Sequence, residues 1–214
     1  MIVVAIDGPS GSGKSTIARE VGKALGLPVL DTGAMYRAVT VVALARGIAP
    51  DDGAALAALA GGLRIEMEAG VRVDGVDVSG ELRRPEVTGA VSAVAAVPGV
   101  RSALVALQRQ WIVSHGGGVV EGRDIGTVVA PDAPLKVFLV AEEGERAVRR
   151  QTQEQVLDLE ATRDDLRRRD TFDAGRSASP LAIADDAVVV DTTGRSIDDV
   201  MADVIDLVRA AANR

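Results

Sequence analysis

The stretch IVVAIDGPSGSGKST, residues 2–16, constrains the fold of this 214-residue chain more than any other part of the sequence. A short apolar run ends at Asp7, a glycine-rich loop follows it, and a helical pattern begins near Lys14. The loop matches G-x-x-x-x-G-K-[ST], in which glycines let successive backbone N–H groups turn inward around an anion. The helix that follows adds the positive end of its dipole. The stretch therefore predicts a phosphate-binding P-loop between a buried strand and a helix.

The P-loop motif also predicts roles for its last residues. We expect Lys14 to reach the β- and γ-phosphates of a nucleoside triphosphate and the Ser15 hydroxyl to ligate Mg²⁺. The motif by itself does not decide between a GTPase, an ATPase and a kinase. The residues expected to hold the nucleotide are Gly8, Pro9, Ser10, Gly11, Ser12, Gly13, Lys14, Ser15 and Thr16.

Short apolar runs alternate with helical patterns along the chain, which is typical of an α/β protein with a parallel sheet covered on both faces. Acidic residues stand at or just past four strand ends, where ligands of such sheets bind; they are Asp7, Asp31, Glu121 and Asp191. We expect a five-stranded parallel sheet of the P-loop NTPase class. Its strands are predicted at 2–6, 28–30, 117–121, 135–140 and 187–191, and the helices at 14–25, 33–46, 85–96, 99–114, 142–169 and 196–211.

One stretch departs from this alternation. Residues 63–80, LRIEMEAGVRVDGVDVSG, alternate with period 2 and contain Ala-Gly and Asp-Gly turns. This pattern predicts a small antiparallel meander inserted into the α/β unit. A helix, a turn and a second small helix are predicted before the meander, and 170–180 is predicted to be the most mobile loop.

Composition excludes several classes of protein. The chain has no cysteine, which excludes disulfides and thiolate metal sites. No uncharged run reaches the ~20 apolar residues of a membrane span, and the first residues lack the features of a secretory signal, so we expect a cytoplasmic protein. A net charge of −7 and an aromatic content of 2% argue against a nucleic-acid partner.

Arginine dominates the basic residues, at 21 of 24, and eight arginines lie between Arg146 and Arg176. Arginine is the bidentate phosphate ligand among the side chains. Biased codon usage explains part of the total, but it explains the local cluster less well. The cluster therefore predicts a surface that neutralises phosphate.

Two common classes of P-loop protein fit this sequence poorly. A GTPase needs an Asn-Lys-x-Asp motif, and the sole asparagine is Asn213. A motor ATPase needs a strand that ends in water-polarising acidic residues. GGVVEGRD, 117–124, comes nearest, but its Arg123 suits a second anion better than a water molecule. The segment DTGAMYR, 31–37, could also bind a phosphate. Thr32 is a candidate helix N-cap there, and its hydroxyl and the helix N-terminus could both contact the anion. Several arginines around one cleft favour phosphoryl transfer to a second substrate.

Six segments of the chain, in order, resemble those of bacterial cytidylate kinases, which phosphorylate CMP and dCMP with ATP. The segments are DGPSGSGKST, LDTGAMYR, VDVSGELR, VSAVAAVPGVR, EGRDIGTVV and RRRDTFDAGRSASPL, and the resemblance they carry extends along nearly the whole chain, from residue 7 to residue 181. DVSGELR, 77–83, and the meander before it resemble the insertion that distinguishes the bacterial enzymes from short UMP/CMP kinases. The resemblance implies a monomeric enzyme that uses Mg²⁺, binds ATP and CMP or dCMP, and binds neither nucleic acid nor membrane.

The resemblance also implies roles for single residues. Ser92, Arg101 and Asp124 would face cytosine, because a carboxylate accepts from the N4 amine and a guanidinium donates to the O2/N3 edge. Uracil would leave some of these contacts unpaired. Arg169 and Asp173 would handle the ribose hydroxyls. The implied substrate-binding set is Thr32, Tyr36, Arg37, Ser92, Arg101, Arg123, Asp124, Arg169, Asp173 and Arg176; the catalytic set is Lys14, Arg123, Asp124 and Arg176; and Arg146 and Arg150, with Arg149, would close over ATP.

The resemblance divides the single kinase unit, 1–214, into functional segments. The predicted core comprises 1–31, 115–145 and 177–214. A monophosphate-binding segment comprises 32–114, with an insert at about 63–84, and a helical lid comprises about 146–176. Both outer segments would move, one over each substrate, and exclude water.

The sequence departs from the family in three places, and at one of them Thr32 stands where a serine is frequent, which keeps the hydroxyl. Glu121 replaces an aspartate that is frequent there, and the lid between Arg150 and Arg169 is a few residues short. Two alternatives to a cytidylate kinase stay open, namely a kinase for another acceptor such as UMP, AMP or shikimate, and a nucleotide-dependent regulatory or nucleic-acid-binding protein. The one histidine, His115, is expected to be a helix-end residue rather than a catalyst.

Overall fold

The computed structural model describes residues 2–68, 70–154, 158–176 and 178–212, with the side chains of 153 and 154 excepted. The strands are β1 (Ile2–Asp7), β2 (Val29–Asp31), β3 (Ile65–Glu66), β4 (Arg72–Val73), β5 (Val76–Asp77), β6 (Gly117–Gly122), β7 (Leu135–Val140) and β8 (Val188–Asp191). The α-helices are α1 (Lys14–Leu25), α2 (Thr32–Ala45), α3 (Gly53–Gly62), α4 (Pro85–Ala96), α5 (Pro98–Ser114), α6 (Glu143–Glu154), α7 (Leu159–Ala174) and α8 (Ile197–Ala212). A single π-helical turn, Ile125–Val129, follows β6 and was not predicted.

The large sheet has the strand order β2-β6-β1-β7-β8, with β1 at its centre. Strand β1 pairs in parallel with β6 and β7, and β7 pairs in parallel with β8. Every residue of β1 after Ile2 is buried, so both faces of the sheet are covered at its centre. The predicted five-stranded parallel sheet is therefore confirmed, and each predicted strand lies within one or two residues of an observed one.

Different helices cover the two faces of this sheet. On one face, alternate residues of β1 pack against α1 and α8 through Val4, Ile6, Ile17, Val21, Val200 and Val204. Gly118 lies on the other face, because it is one residue out of phase with Val119, the register partner of Val4. A Cβ added at Gly118 would lie 3.0 Å from the ring of Trp111, so the last turn of α5 packs directly on β6.

The chain divides into two compact units, residues 1–30 with 111–214 and residues 31–110. The second unit contains α2, α3, α4, most of α5 and a small antiparallel sheet of the order β3-β4-β5. Register pairs Ile65–Val73 and Val73–Val76 define this small sheet, which confirms the predicted meander. The functional division into core, monophosphate-binding segment and lid stays a prediction.

The prediction of one long helix over 142–169 is wrong. Helix α7 begins after an N-cap at Asp158, whose extended backbone interrupts any continuous helix and whose side chain accepts from the N–H of Ala161. The two helices pack against each other and share an ion pair of 2.8 Å between Arg167 and Glu143. Residues 155–157 of the predicted helix lie outside the described residues. Capping by Asp158 therefore produces a helical hairpin where the pattern alone predicted a single rod.

The predicted loop 170–180 is wrong for its first five residues, because α7 continues to Ala174. The backbone N–H of Leu181 then donates to the carbonyl of Asp173 at 2.9 Å, which ties the following segment to the end of α7. Ser177 lies outside the described residues.

Across the described ranges, no single helix is long and apolar enough to cross a membrane. Helices α4 and α5 reach that length and composition only when taken together, and the chain bends by 93° between them.

Glycines in the second unit give a matched test of its packing. A Cβ at Gly99 would lie 2.4 Å from the Cβ of Ala57, so α5 and α3 approach each other closely there, whereas nothing lies within 4 Å of a Cβ at Gly89 in α4. We expect Gly99→Ala to lower the free energy of unfolding by about 1–3 kcal/mol through overpacking. Gly89→Ala should raise it by about 0.5–1 kcal/mol, because alanine loses less backbone entropy in a helix. Urea unfolding measures both; equal effects of the two substitutions would contradict the close contact.

Candidate active site

The glycine-rich loop joins the end of β1 to the start of α1, as the sequence predicts. Gly11 and Gly13 have φ values of +78° and +91°, in the left-handed region that favours glycine, and Gly13 is the N-cap of α1. The Nζ atom of Lys14 donates to the carbonyl of Pro9 at 2.7 Å, so the lysine folds back across the loop. The loop thus combines a helix N-terminus, left-handed glycines and one buried ammonium group.

The surroundings of Lys14 disfavour the positive charge of its ammonium group. Its pKa is lowered to about 7, chiefly by burial and next by the neighbouring Arg123, although Glu121, Asp7 and Asp173 oppose the shift. The charged ammonium group is therefore barely favoured near neutral pH. An anion placed in the loop would favour that charged form, as opposite charges do at short distance.

Two arginines share the carboxylate of Asp173, which lies on α7 and is buried. The Nε atom of Arg123 donates to Oδ2 at 2.8 Å, and Arg176 donates to Oδ1. Arg123 also donates to the carbonyl of Gly8 at 3.0 Å, which places it against the P-loop. Burial alone would lower the pKa of Arg123, but the carboxylates of Asp173, Asp170 and Glu121 together raise it. Asp173 therefore fixes two of the predicted catalytic residues beside the loop.

Arg169 adds a third guanidinium group to this region. It is 7% exposed, and burial lowers its pKa, followed by repulsion from Arg150 and Arg123. Its Nη1 atom makes no hydrogen bond within the described part of the chain, and it lies 3.8 Å from the carboxylate of Asp165. Within the described residues, this buried nitrogen therefore has an ion-pair partner but no hydrogen-bond acceptor.

Helix α6 lies against the P-loop. A Cβ added at Gly11 would lie 2.9 Å from the carbonyl oxygen of Arg146, so the backbone of α6 almost touches the loop. The Nη1 atom of Arg146 donates to the carbonyl of Ser10 at 3.0 Å and to Asp170 at 2.5 Å. Asp170 in turn accepts from the backbone N–H of Ser10 at 3.4 Å. Sequence reasoning missed Asp170, although it directly follows Arg169 in the quoted segment RRRDTFDAGRSASPL.

Thr192 is a second residue that the sequence did not single out. Arg149 donates to its Oγ1 atom at 2.8 Å and to its carbonyl at 2.7 Å. The Oγ1 atom of Thr192 donates to the carbonyls of Val140 and Ser12, at 3.1 and 3.3 Å. Arg149 is therefore fixed by the loop after β8 rather than solvated on the surface of α6. Only its position just past a strand end could have indicated Thr192.

Asp7 holds the turn after β6. Its carboxylate accepts from the backbone N–H groups of Ile125 and Gly126, at 2.8 and 2.7 Å. Its pKa is raised to about 6, chiefly by burial and to a smaller extent by Asp124, although the two backbone hydrogen bonds and Lys14 oppose the shift. The sequence analysis placed Asp7 at a strand end but did not predict this contact, because the π-helical turn that it anchors has no clear sequence signature.

The second unit contains the other predicted substrate residues. The guanidinium carbon of Arg101 lies 5.3 Å from the centroid of the Tyr36 ring, within range of a cation–π interaction. Arg101 also donates to the carbonyl of Ala95 at 3.1 Å. Arg37 donates to the carbonyl of Leu82 at 2.9 Å and to the hydroxyl of Thr88 at 3.0 Å.

The predicted N-cap at Thr32 is wrong. Asp31 caps α2, and its carboxylate accepts from the N–H of Ala34 at 2.9 Å, so Thr32 is the first helical residue. Aspartate is a favoured N-cap residue, because the N-cap position requires only a side-chain oxygen that accepts from a backbone N–H of the first turn. Ser92 is half-buried on α4.

The structure thus gathers one part of the predicted site within the first unit. Lys14, Arg123 and Arg146 each donate a hydrogen bond to a carbonyl of the P-loop. Asp173 is bonded to Arg123, and Arg176 is bonded in turn to Asp173. Thr32, Tyr36, Arg37, Ser92 and Arg101 belong to the second unit, which is described by itself. His115 follows α5, is exposed and stacks on Trp111 with 4.2 Å between ring centroids, which suits a helix-end residue.

Metal binding by the protein alone has little support. Within the described ranges, no group of three or more His, Cys, Asp or Glu side chains could hold a metal ion. Ser15 stands in the first turn of α1, directly after Lys14. A single protein ligand such as Ser15 suits Mg²⁺, because this ion keeps several waters and takes most of its remaining ligands from substrate phosphates.

A model of the cytidylate kinase family matches residues 4–210, which is nearly the whole chain. The chain belongs to the cytidylate kinase family. Curated relatives agree with this placement. The cytidylate kinase of Mycolicibacterium paratuberculosis is 48% identical over 217 residues, which cover 97% of this chain and 95% of that protein.

Another relative is a longer protein than this chain. The bifunctional pantoate ligase/cytidylate kinase of Trichormus variabilis is 49% identical over 217 residues, which cover 95% of this chain but 40% of that protein. Among solved structures, a gluconokinase from Sinorhizobium meliloti 1021 has a TM-score of 0.54 at 15% identity, and the match covers 99% of this chain and 94% of that one. A likeness at that identity shows the shared fold alone.

The titration of Asp7 predicts a pH dependence of stability. Because its pKa of about 6 lies above its usual 3.8, the folded state binds the proton more tightly than the unfolded state. The stabilisation is fully present below about pH 4 and is lost as the pH rises through about 6. We expect the unfolding free energy of wild type relative to Asp7→Asn to fall by on the order of 3 kcal/mol between pH 4 and 7.

Urea unfolding of the two proteins over this pH range measures the difference. Above pH 7 the difference should be constant, which serves as an internal control. Parallel curves from pH 4 to 7 would contradict the assignment.

Proposed function

We propose that this member of the cytidylate kinase family transfers the γ-phosphoryl group of ATP to the 5′-phosphate of CMP and dCMP. The products are ADP and CDP or dCDP. The observation that carries the mechanism is the buried set of cations beside the P-loop, where Lys14 and Arg169 both have lowered pKa values and Asp173 holds Arg123 and Arg176. Such a set is costly unless anions occupy it, and transferred phosphoryl groups are anions of the right kind.

The reaction needs no strong general base. An oxygen of the acceptor 5′-phosphate attacks the γ-phosphorus, the bond from that phosphorus to the β–γ bridging oxygen breaks, and ADP leaves with those electrons. The second pKa of a phosphomonoester is about 6, so the acceptor is mostly dianionic at neutral pH. Catalysis then consists of positioning and charge neutralisation.

Residues of the first unit would supply that neutralisation. The backbone N–H groups of the P-loop and Lys14 would hold the β- and γ-phosphates of ATP, while Arg123 and Arg176 would meet the phosphate that is transferred or accepted. Asp173 orients both of these arginines. Their N–H groups would therefore keep their direction while negative charge moves from ATP to the acceptor phosphate. Asp173 would therefore act at least partly by positioning arginines, besides the ribose contact that the family resemblance implies.

Mg²⁺ would enter with the nucleotide, held by the Ser15 hydroxyl, and would supply charge stabilisation to the phosphates. The chain's own part is to orient the phosphates around the first turn of α1 and to exclude water with Arg146, Arg149 and Arg150. Arg149 is bound to Thr192, and Arg146 to the loop itself, which supports a role for α6 at the triphosphate.

Recognition of cytosine would use three residues that the family resemblance assigns. The buried carboxylate of Asp124 would accept from the N4 amine, and Arg101 would donate to the O2/N3 edge. The stacking of Arg101 over Tyr36 supports this, because it fixes the direction of the guanidinium donors. Ser92 would add a hydroxyl contact. A monomeric state, a cytoplasmic location and the absence of a nucleic-acid partner remain part of the same proposal.

The test of the proposed function is an assay of ADP release with MgATP and a panel of acceptors. CMP and dCMP should give strong release, UMP weak release, and AMP, shikimate and the absence of acceptor almost none. Strong release with UMP, AMP or shikimate would reassign the acceptor. Release that does not depend on an acceptor would mean an ATPase.

Arg176 gives the sharpest test of the phosphate assignment. Arg176→Ala leaves Asp173 paired with Arg123, so the fold should persist, but the acceptor loses a guanidinium partner. We expect kcat/KM for CMP to fall at least about a hundredfold, by analogy with the arginines of other phosphoryl-transfer enzymes.

Arg168→Ala is the matched control, because Arg168 lies on α7, is mostly exposed and pairs with Asp165 on its own helix. Its kcat/KM should stay within about twofold of wild type, as surface ion pairs contribute little. Full activity of Arg176→Ala would exclude Arg176 from the reaction.

A further inference from the structure

The carboxylate of Asp170 accepts hydrogen bonds from two donors of the kinds that bind phosphate in other proteins. Its Oδ1 atom accepts from the backbone N–H of Ser10, inside the P-loop, and its Oδ2 atom accepts from the guanidinium group of Arg146. A backbone amide of this loop and an arginine are the two kinds of donor that hold phosphate oxygens in such sites. The same guanidinium nitrogen also donates to the carbonyl of Ser10, so the three groups form one closed arrangement.

We propose that Asp170 is an internal substitute for a phosphate, which holds α7 on the P-loop until nucleotide phosphates displace it. The proposal rests on the nucleotide site of the proposed function and adds a means of regulating it. Asp170 lies 160 positions from Ser10 in the chain, so the contact exists only because α7 folds back onto the loop. Its side chain is 23% exposed, which leaves a route by which it can withdraw into solvent.

Asp164 and Asp165, two other acidic residues of α7, behave differently, whereas Asp173 resembles Asp170 because it too reaches an arginine outside its helix. Asp164 and Asp165 form ion pairs with Arg167 and Arg168, which lie on the same helix and are mostly exposed. Such pairs are ordinary surface features of a helix and contribute little. Asp170 instead reaches out of its helix to the loop, and its negative charge also reaches Arg123. The charge is therefore placed among the cations that the proposed mechanism assigns to phosphate.

Competition has a direct consequence for affinity. A phosphate that binds at Ser10 and Arg146 must first break the contacts of Asp170 and then lie near a displaced negative charge. Asp170→Asn keeps the size of the side chain and one acceptor oxygen for Ser10, but it removes the charge. Phosphates should therefore bind the variant more tightly than the wild type.

The experiment is calorimetric titration of the full-length chain with inorganic pyrophosphate and, separately, with MgADP. We expect Asp170→Asn to bind both at least about fivefold more tightly than wild type, since a charged hydrogen bond is worth more than a neutral one. Asp164→Asn is the matched control, because it makes the same change of charge on the same helix away from the loop. Its affinities should stay within about twofold of wild type.

Affinity of Asp170→Asn that is unchanged or weaker would overturn the proposal; weaker binding would mean that Asp170 positions Arg146 as part of the phosphate site. An equal gain in Asp164→Asn would also overturn it, because the effect would then be one of net charge. Asp170→Ser, with the same expected direction, replaces Asp170→Asn if circular dichroism shows that the latter is unfolded. Pyrophosphate binding needs no acceptor, so failure of the CMP assay would not affect this result.

Discussion

The concentration of buried positive charge beside residues 8–16 is the constraint on which most of the first unit depends. Lys14 and Arg169 are buried, and Arg123, which is half-buried, repels both of them. Without compensation, burial of such charges would cost several kcal/mol for each ion. The protein distributes carboxylates among them, chiefly Asp173 and Asp170, both of which lie on α7. Helix α7, which contacts the loop, is thus also the source of this counter-charge.

This arrangement explains why α6 and α7 both contact the loop. The attraction between the acidic side of α7 and the cations is present in the protein itself, and a phosphate would take over part of it. The residues proposed for catalysis are therefore also residues that balance charge in the fold. A change at Asp173 or Arg123 would alter the balance of charge in the folded protein as well as the handling of substrate.

Much of this protein could be predicted from its sequence, because its strongest signals are local. The P-loop pattern places Lys14 and Ser15 at a helix start by itself, and apolar runs identify all five parallel strands. What could not be predicted depends on capping choices and on contacts between distant residues. Asp158 starts a new helix within a continuous polar pattern, and nothing near Asp170 in the chain indicates that its partner is Ser10.

The glycine at position 11 shows how two requirements can fall on one residue. Its left-handed backbone belongs to the phosphate loop, but a side chain there would also collide with the main chain of α6 at Arg146. A descendant that lost all affinity for nucleotides and kept its helical hairpin would still be confined to glycine at this position. Retention of the glycine-rich pattern in an inactive relative would therefore be no sign of surviving catalysis, since the architecture alone preserves it.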